Sequence, residues 1–303
     1  MLNVPRKDGT EYLDQGVLSR LSAQTLLTPQ PMEGSVAGLH KSPHRGASVE
    51  FAEYREYSPG DDPRLLDWRV YARTDRFYVK EFEAETNLRC FLTLDCSASM
   101  KFESAHGPRV ETAKRIAATL AYLLIHQGDA AGLLTVGAKG LQELPARRNP
   151  SHIRNMLSIL AKSKPSGDAD LPKALHDVAE RVPRRSLVVV ISDFFCELSE
   201  LMEAIQHLRF QRHDVCLFHL LDPAELSFSF DRPIRFIDLE GPDNLITEPA
   251  VIRKQYLEQI NAFLDNIREG CHERGVEYRR VLLDRPYEET LVEFLSDRAH
   301  KTA

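Results

Sequence analysis

Residues 91–102 read FLTLDCSASMKF. An apolar run of strand length ends in an acid, Asp95. Two serines, Ser97 and Ser99, follow at alternate positions. A second run, LVVVISD, ends the same way at Asp193. Continuous apolar strands belong in a parallel sheet covered on both faces. In such sheets, ligands bind outside the carboxyl ends of the strands. If these two strands are neighbours, both carboxylates lie at one edge, beside the two hydroxyls. Hard oxygen donors with room for retained water suit Mg²⁺, with Mn²⁺ as a substitute, better than a soft metal.

Other chemistries are tested against the same residues. A serine-nucleophile elbow needs glycines two positions either side of the serine, and they are absent. An aspartyl phosphotransferase would want a second acid two residues after Asp95, where Ser97 stands. The chain has no P-loop pattern. The remaining alternative to a metal site is that Ser97 or Ser99 caps the next helix.

The pattern around this stretch predicts a doubly wound, mostly parallel α/β fold. Strands are expected at 88–94, 130–136, 141–145, 187–192, 214–220, 234–239 and 277–283. Helices are expected at 108–127, 150–162, 171–181, 198–211, 250–273 and 287–299, with Asn149 before Pro150 and Pro249 as start signals. Upstream, residues 11–28 carry apolar residues at helical spacing. A Gly/Pro/Ser-rich loop follows, and then an aromatic, charged segment with SPGDD at 58–62, the signature of a β-hairpin turn. Two regions are therefore expected: an N-terminal extension over 1–86 and the α/β domain over 87–303.

The 303 residues suffice for this arrangement. A formal net charge of −6 argues against general nucleic-acid binding. The five cysteines form no Cys-x-x-Cys pair; Cys90, Cys196 and Cys216 lie in or beside apolar runs and read as reduced thiols. With no apolar leader and no run long enough to span a bilayer, a cytoplasmic protein without membrane insertion is expected.

The motif DCSASM resembles the Asp-x-Ser-x-Ser of von Willebrand factor A domains, where it forms the metal-ion-dependent adhesion site. The block GLHKSPHRGASVEFAEYREYSPGDDPRLLDWRVYARTDRFYVKEFE resembles the signature of the bacterial domain-of-unknown-function-58 family. So do DPAELSFSF, FIDLEG, IRKQYLEQI and RGVEYRRVLLDRPYEETL. The resemblance runs from about residue 12 to 299. It implies a von Willebrand A-like core and a non-enzymatic adaptor working with a MoxR-type AAA+ ATPase and its client. It also implies metal ligands at Asp95, Ser97, Ser99 and Asp193. The last expected ligand, a threonine in a loop like Gly-Gly-Thr-Asp-Leu, corresponds to SGDADL at 166–171. Anchored on Asp170 and Leu171, that loop has Ala169 at the threonine position. Either the site binds metal weakly, or Asp168 or Ser166 supplies an oxygen by another geometry, or metal binding is lost. A metal-independent scaffold is the alternative function. A metal-dependent hydrolase ranks below both, because no general base or nucleophile is visible near the strand ends.

Elsewhere the structural reading is favoured. His40 and His44 stand in a basic loop with Lys41 and Arg45. Arg55, Asp61, Asp62, Arg64 and Asp67 are expected to form an ion-pair network around a turn that docks the hairpin on the core, with Trp68 as an apolar anchor. His219 reads as a packing residue. The basic runs RVPRRS and ARRNP read as solvated element ends.

Overall fold

The uninterrupted apolar runs become the middle of a six-stranded sheet. The computed structural model describes residues 8–22, 24–27, 40–41, 50–56, 68–74, 76–83, 85–86, 88–230, 234–237 and 244–302. The strands are β1 (Arg89–Asp95), β2 (Ala130–Gly137), β3 (Gly140–Arg147), β4 (Leu187–Ser192), β5 (Asp214–Leu221) and β6 (Glu277–Leu282). Their order is β6-β5-β4-β1-β2-β3. Every pair is parallel except β2–β3, an antiparallel edge hairpin. All of β4 and β5, and β1 after Arg89, are buried. Strands covered on both faces have no solvent side, so they show no apolar–polar alternation.

The covering helices are α1 (Gln15–Leu21), α2 (Arg109–His126), α3 (His152–Lys162), α4 (Leu171–Arg181), α5 (Leu198–Phe210), α6 (Pro223–Ser227), α7 (Pro249–Glu273) and α8 (Tyr287–Thr302). Successive strand residues point to opposite faces. Phe91, Val188, Val190, Val215 and Leu217 share a cluster with apolar residues of α4, α5 and α7. On the other face, Phe218 of β5 meets Phe294 of α8 edge-on at 5.1 Å. The fold is α/β with a mostly parallel central sheet between helical layers.

Several expectations need correction. The helix expected over 11–28 is a 3₁₀ turn, Thr10–Tyr12, followed by the separate helix α1. Asp14 divides them, its side chain accepting from the Gly16 and Val17 N–H groups. Asn149 does not cap α3; its carboxamide oxygen accepts from the Ser151 N–H and Oγ one turn earlier. The strand expected at 234–239 is Ile234–Ile237. It pairs antiparallel with Asn244–Thr247, apart from the main sheet.

The chain divides into two compact units, one of Met1–Pro29 with Arg89–Ala303, the other Gln30–Leu88. The first residues of the extension expected over 1–86 thus belong with the α/β unit. Tyr12, Val17, Leu18, Leu21 and Leu26 are buried, and the Gln127 side chain donates to the Gln24 carbonyl. Within the second unit, Glu50–Glu56 pairs antiparallel with Tyr78–Glu83, and His40–Lys41 with Glu85–Thr86. The paired strands are not joined by a tight turn alone, because the helix Trp68–Thr74 lies between them. Trp68 meets Tyr71 edge-on at 6.3 Å within this unit. His44, Asp61, Asp62, Arg64, Asp67 and the SPGDD turn lie outside the described residues, as does the Arg55 side chain.

Candidate functional site

Strand order places β1 beside β4, with β2 leading away on one side and β5 on the other. This is the reversal point at which doubly wound sheets open a crevice at the carboxyl ends of their strands. Asp95 is the last residue of β1, and Asp193 follows the last residue of β4. The two acids and both serines meet there. The Ser97 and Ser99 hydroxyl oxygens are 2.9 Å apart, and Ser99 Oγ donates to Asp193 Oδ1 at 3.2 Å. The Ser97 N–H donates to Asp95 Oδ1 at 2.8 Å, and Ser192 Oγ donates to Asp95 Oδ2. Ser97 precedes a 3₁₀ turn, Ala98–Lys101, without a side-chain capping bond. Helix α2 begins only after Pro108. The capping alternative therefore does not describe these serines.

The loop expected to carry a further ligand is adjacent. The Ser166 N–H donates to the Cys96 carbonyl at 3.0 Å, and the Ala98 N–H donates to the Gly167 carbonyl at 2.9 Å. Gly167 has φ +64°, and a Cβ there would come 2.8 Å from that of Ala138. Ser166 and Asp168 are exposed, whereas Ala169 is half-buried against the core. Asp170 is committed to capping α4, accepting from the Lys173 N–H at 2.9 Å. Among the described residues, no group of three or more His, Cys, Asp or Glu could hold a metal ion. Cation binding here would need the serine hydroxyls. The set of Asp95, Ser97, Ser99 and Asp193 consists of hard oxygens, and it fits Mg²⁺ in donor type.

The electrostatics contain a residue that the motif did not reveal. Arg109, the first residue of α2, is 3% exposed. Its guanidinium binds Asp193 Oδ2 and, at 2.6 Å, Glu225 Oε1. Burial works against the Arg109 charge, but the carboxylates of Asp193 and Glu225 prevail and hold its pKa above the ordinary value. Glu225 is aimed by a capping box at the start of α6. Its Oε2 accepts from the Asp222 N–H, and the Ala224 N–H donates to Asp222 Oδ1, both at 2.8 Å. A cation at a helix N-terminus opposes the helix dipole. An arginine directly after His-Gly-Pro was therefore the available signal. Ser192 and Glu225 were also missed, and only the fold brings them to the site.

Burial, and next the Asp193 carboxylate, push the Asp95 carboxyl up to about 7 against the hydrogen bonds from Ser192 and Ser97. His219 is buried, its Nδ1 2.7 Å from the Tyr278 hydroxyl. Burial, followed by repulsion from Arg109, lowers its pKa to about 3, so it is a weak base. A pocket of 640 Å³ opens beside the cluster, with Ser99, Arg109, Asp193 and His219 in its wall.

A family model described as "Protein of unknown function DUF58" matches residues 53–262. The chain is 27% identical over 289 residues to the Uncharacterized protein Rv1480 of Mycobacterium tuberculosis, covering 94% of this chain and 90% of that one. Among solved structures it is similar to the conserved hypothetical protein BatB from Bacteroides thetaiotaomicron. That match has 16% identity and a TM-score of 0.44, over 71% of this chain and all of that one (100%). It is also similar to the SpRpn10 VWA domain, with 12% identity and a TM-score of 0.41, over 71% of this chain and 95% of that one.

Proposed function

The chain belongs to the DUF58 family of proteins of unknown function, and we propose that it is a non-enzymatic adaptor that grips a protein partner at the Asp95–Asp193 edge of its sheet. One observation carries this reading. Two carboxylates and two hydroxyls from separate strand ends converge at the reversal point of the sheet, beside an open pocket. Asp95, Ser97, Ser99 and Asp193 would hold Mg²⁺ or Mn²⁺. A cation there supplies an open position for a partner's Asp or Glu carboxylate. The buried backbone and hydroxyl bonds to Asp95 keep its oxygens fixed in advance, so little ordering remains to be done on binding. His219, neutral and engaged with Tyr278, offers little as a general base. The resemblance of the sequence motifs points to a MoxR-type AAA+ ATPase as the partner, acting in the cytoplasm. Among the described residues, no helix is long and apolar enough to cross a membrane.

Arg109 favours a second reading, a metal-independent scaffold. Its guanidinium already supplies one positive charge to Asp193, and Ala169 supplies no hydroxyl. Capture of a purified MoxR-type ATPase with Mg²⁺ and with EDTA separates the two. The adaptor reading expects capture in Mg²⁺, loss in EDTA and loss in Ser99→Ala. Equal capture under all three conditions would leave the scaffold.

A further inference from the structure

The pocket beside the site has walls of two kinds. On one side are Ser99, Arg109, Asp193 and Glu225. Most of their polar groups already serve one another, but the Arg109 Nε–H is buried without a hydrogen-bond partner. Asp193 accepts from Ser99 Oγ, the Phe195 N–H and Arg109. Glu225 accepts from Arg109 and the Asp222 N–H. A lysine or arginine entering here would bring a second cation beside Arg109, to acids that Arg109 already neutralises.

The opposite walls are aromatic. Phe228 lies 4.4 Å from the Tyr256 ring and meets Phe230 edge-on at 5.2 Å. Phe263 and Ile260 continue this surface along α7. At the rim, Phe195 is 76% exposed. An apolar occupant would displace water from these rings without breaking a hydrogen bond.

Two of the four non-glycine residues with positive φ among the described residues lie at the same place. Phe194, next to Asp193, has φ 50°, and Phe228 has φ 46°. Bulky side chains rarely adopt such angles, and where they do, the surroundings hold them there, often at ligand sites. Phe194 is held by a bond from its N–H to Ser192 Oγ, and Phe228 by Arg253 donating to its carbonyl. Both strained residues therefore flank the pocket and are anchored to the cluster or to α7.

We propose that this pocket receives an aromatic side chain of the partner segment whose carboxylate reaches the Ser99–Asp193 end. The inference rests on the adaptor reading and names the partner's chemistry. Ser99 and Asp193 belong to both the oxygen cluster and the pocket wall, so acid and aromatic ring stand one or two residues apart. An acidic segment complements this edge only when a cation is bound, because the Asp95 carboxylate, which accepts from two neutral donors, otherwise repels it.

The test uses the full chain and ¹⁹F NMR with the peptide acetyl-Gly-Asp-Gly-(4-fluorophenylalanine)-Gly-amide. An asparagine-for-aspartate version is measured beside it, and a version with alanine for the aromatic residue is measured by competition. The aromatic peptides are expected to bind about tenfold or more tightly than the alanine peptide, as burying a large apolar side chain implies. Ile260→Lys in the wall and Phe195→Ala at the exposed rim should both weaken them. Retained melting behaviour shows that each variant folds. Mg²⁺ should strengthen the aspartate peptide alone. If Mg²⁺ has no effect but the aromatic preference and its loss in the variants persist, the pocket stands and the cation reading fails. Equal binding of aromatic and alanine peptides, aromatic binding untouched by both substitutions, or no binding at all would overturn the inference.

Discussion

Replacing Asp95 with asparagine isolates the cost of a buried charge. Asparagine keeps the shape, can accept from the Ser97 N–H and can donate to Ser192 Oγ, but it does not ionise. In the native chain the Asp95 carboxyl titrates at about 7 instead of 3.8, mainly through burial and next through Asp193. Its folded pKa is raised, so the folded state binds the proton more tightly than the unfolded chain does. The associated stability is fully present below about pH 4 and is lost as pH rises through 7. A shift of roughly three units corresponds to about 4 kcal/mol in all. Of this, about 3 kcal/mol should disappear between pH 5 and pH 8. Urea denaturation of both proteins across that range, without divalent cations, gives the difference in unfolding free energy. Titrating groups remote from Asp95 cancel in the subtraction, while its coupling to Asp193 is part of the difference. The wild type should lose about 3 kcal/mol relative to Asp95→Asn as pH rises. Mg²⁺ should restore much of that loss at pH 8 in the wild type only. A difference that stays flat with pH would refute the reasoning, since Asp95 would then be solvated or compensated in a way its burial does not allow.

Arg109→Met strands Asp193 and Glu225 and should destabilise the protein by about 3–5 kcal/mol, measured by urea denaturation. With the internal cation gone, the same variant should bind Mg²⁺ more tightly by calorimetry. Ala169→Thr places a hydroxyl at the position the resemblance assigns to a ligand, so calorimetry should show tighter Mg²⁺ binding than in wild type. An unchanged affinity would mean that position 169 does not face the cation. Gly167→Ala meets both a positive φ and the Ala138 Cβ. It should cost roughly 1–3 kcal/mol in thermal or urea unfolding, and it should weaken any cation binding that depends on the neighbouring loop.

The central strands were legible because their burial leaves no alternation to interpret. LVVVIS is 187–192 both as a sequence pattern and as β4. Most helices of the α/β unit were legible for a related reason: α3, α4 and α5 each bury one face and show the periodicity of doing so, whereas the short α6, with no buried residue, was not expected. α1 was not legible either, because apolar spacing ran on through Asp14, whose side chain starts a new helix instead of riding on an old one. The serine–aspartate cluster was legible because its members stand at the ends of recognisable strands. Arg109, Ser192 and Glu225 were not, since their partners are 84, 97 and 116 residues away in the chain.

Those long-range partners change the meaning of the missing threonine. A site with a threonine and no internal arginine relies on a bound cation to offset its two acids. Here Ala169 removes one neutral oxygen, while Arg109 adds a fixed charge on Asp193. Both changes lower the gain from binding a divalent ion. They do not remove the need for one, because Arg109 bonds to Asp193 and Glu225, whereas the two bonds on Asp95 come from neutral donors, the Ser97 N–H and the Ser192 hydroxyl. Asp95 is thus the group whose ionisation a cation would favour, and the Ser97–Ser99 side of the cluster is where that cation would sit. A carboxylate arriving from a partner would then meet the ion beside the aromatic pocket. The same arrangement places the charged contact and the apolar contact of one partner segment on adjoining walls.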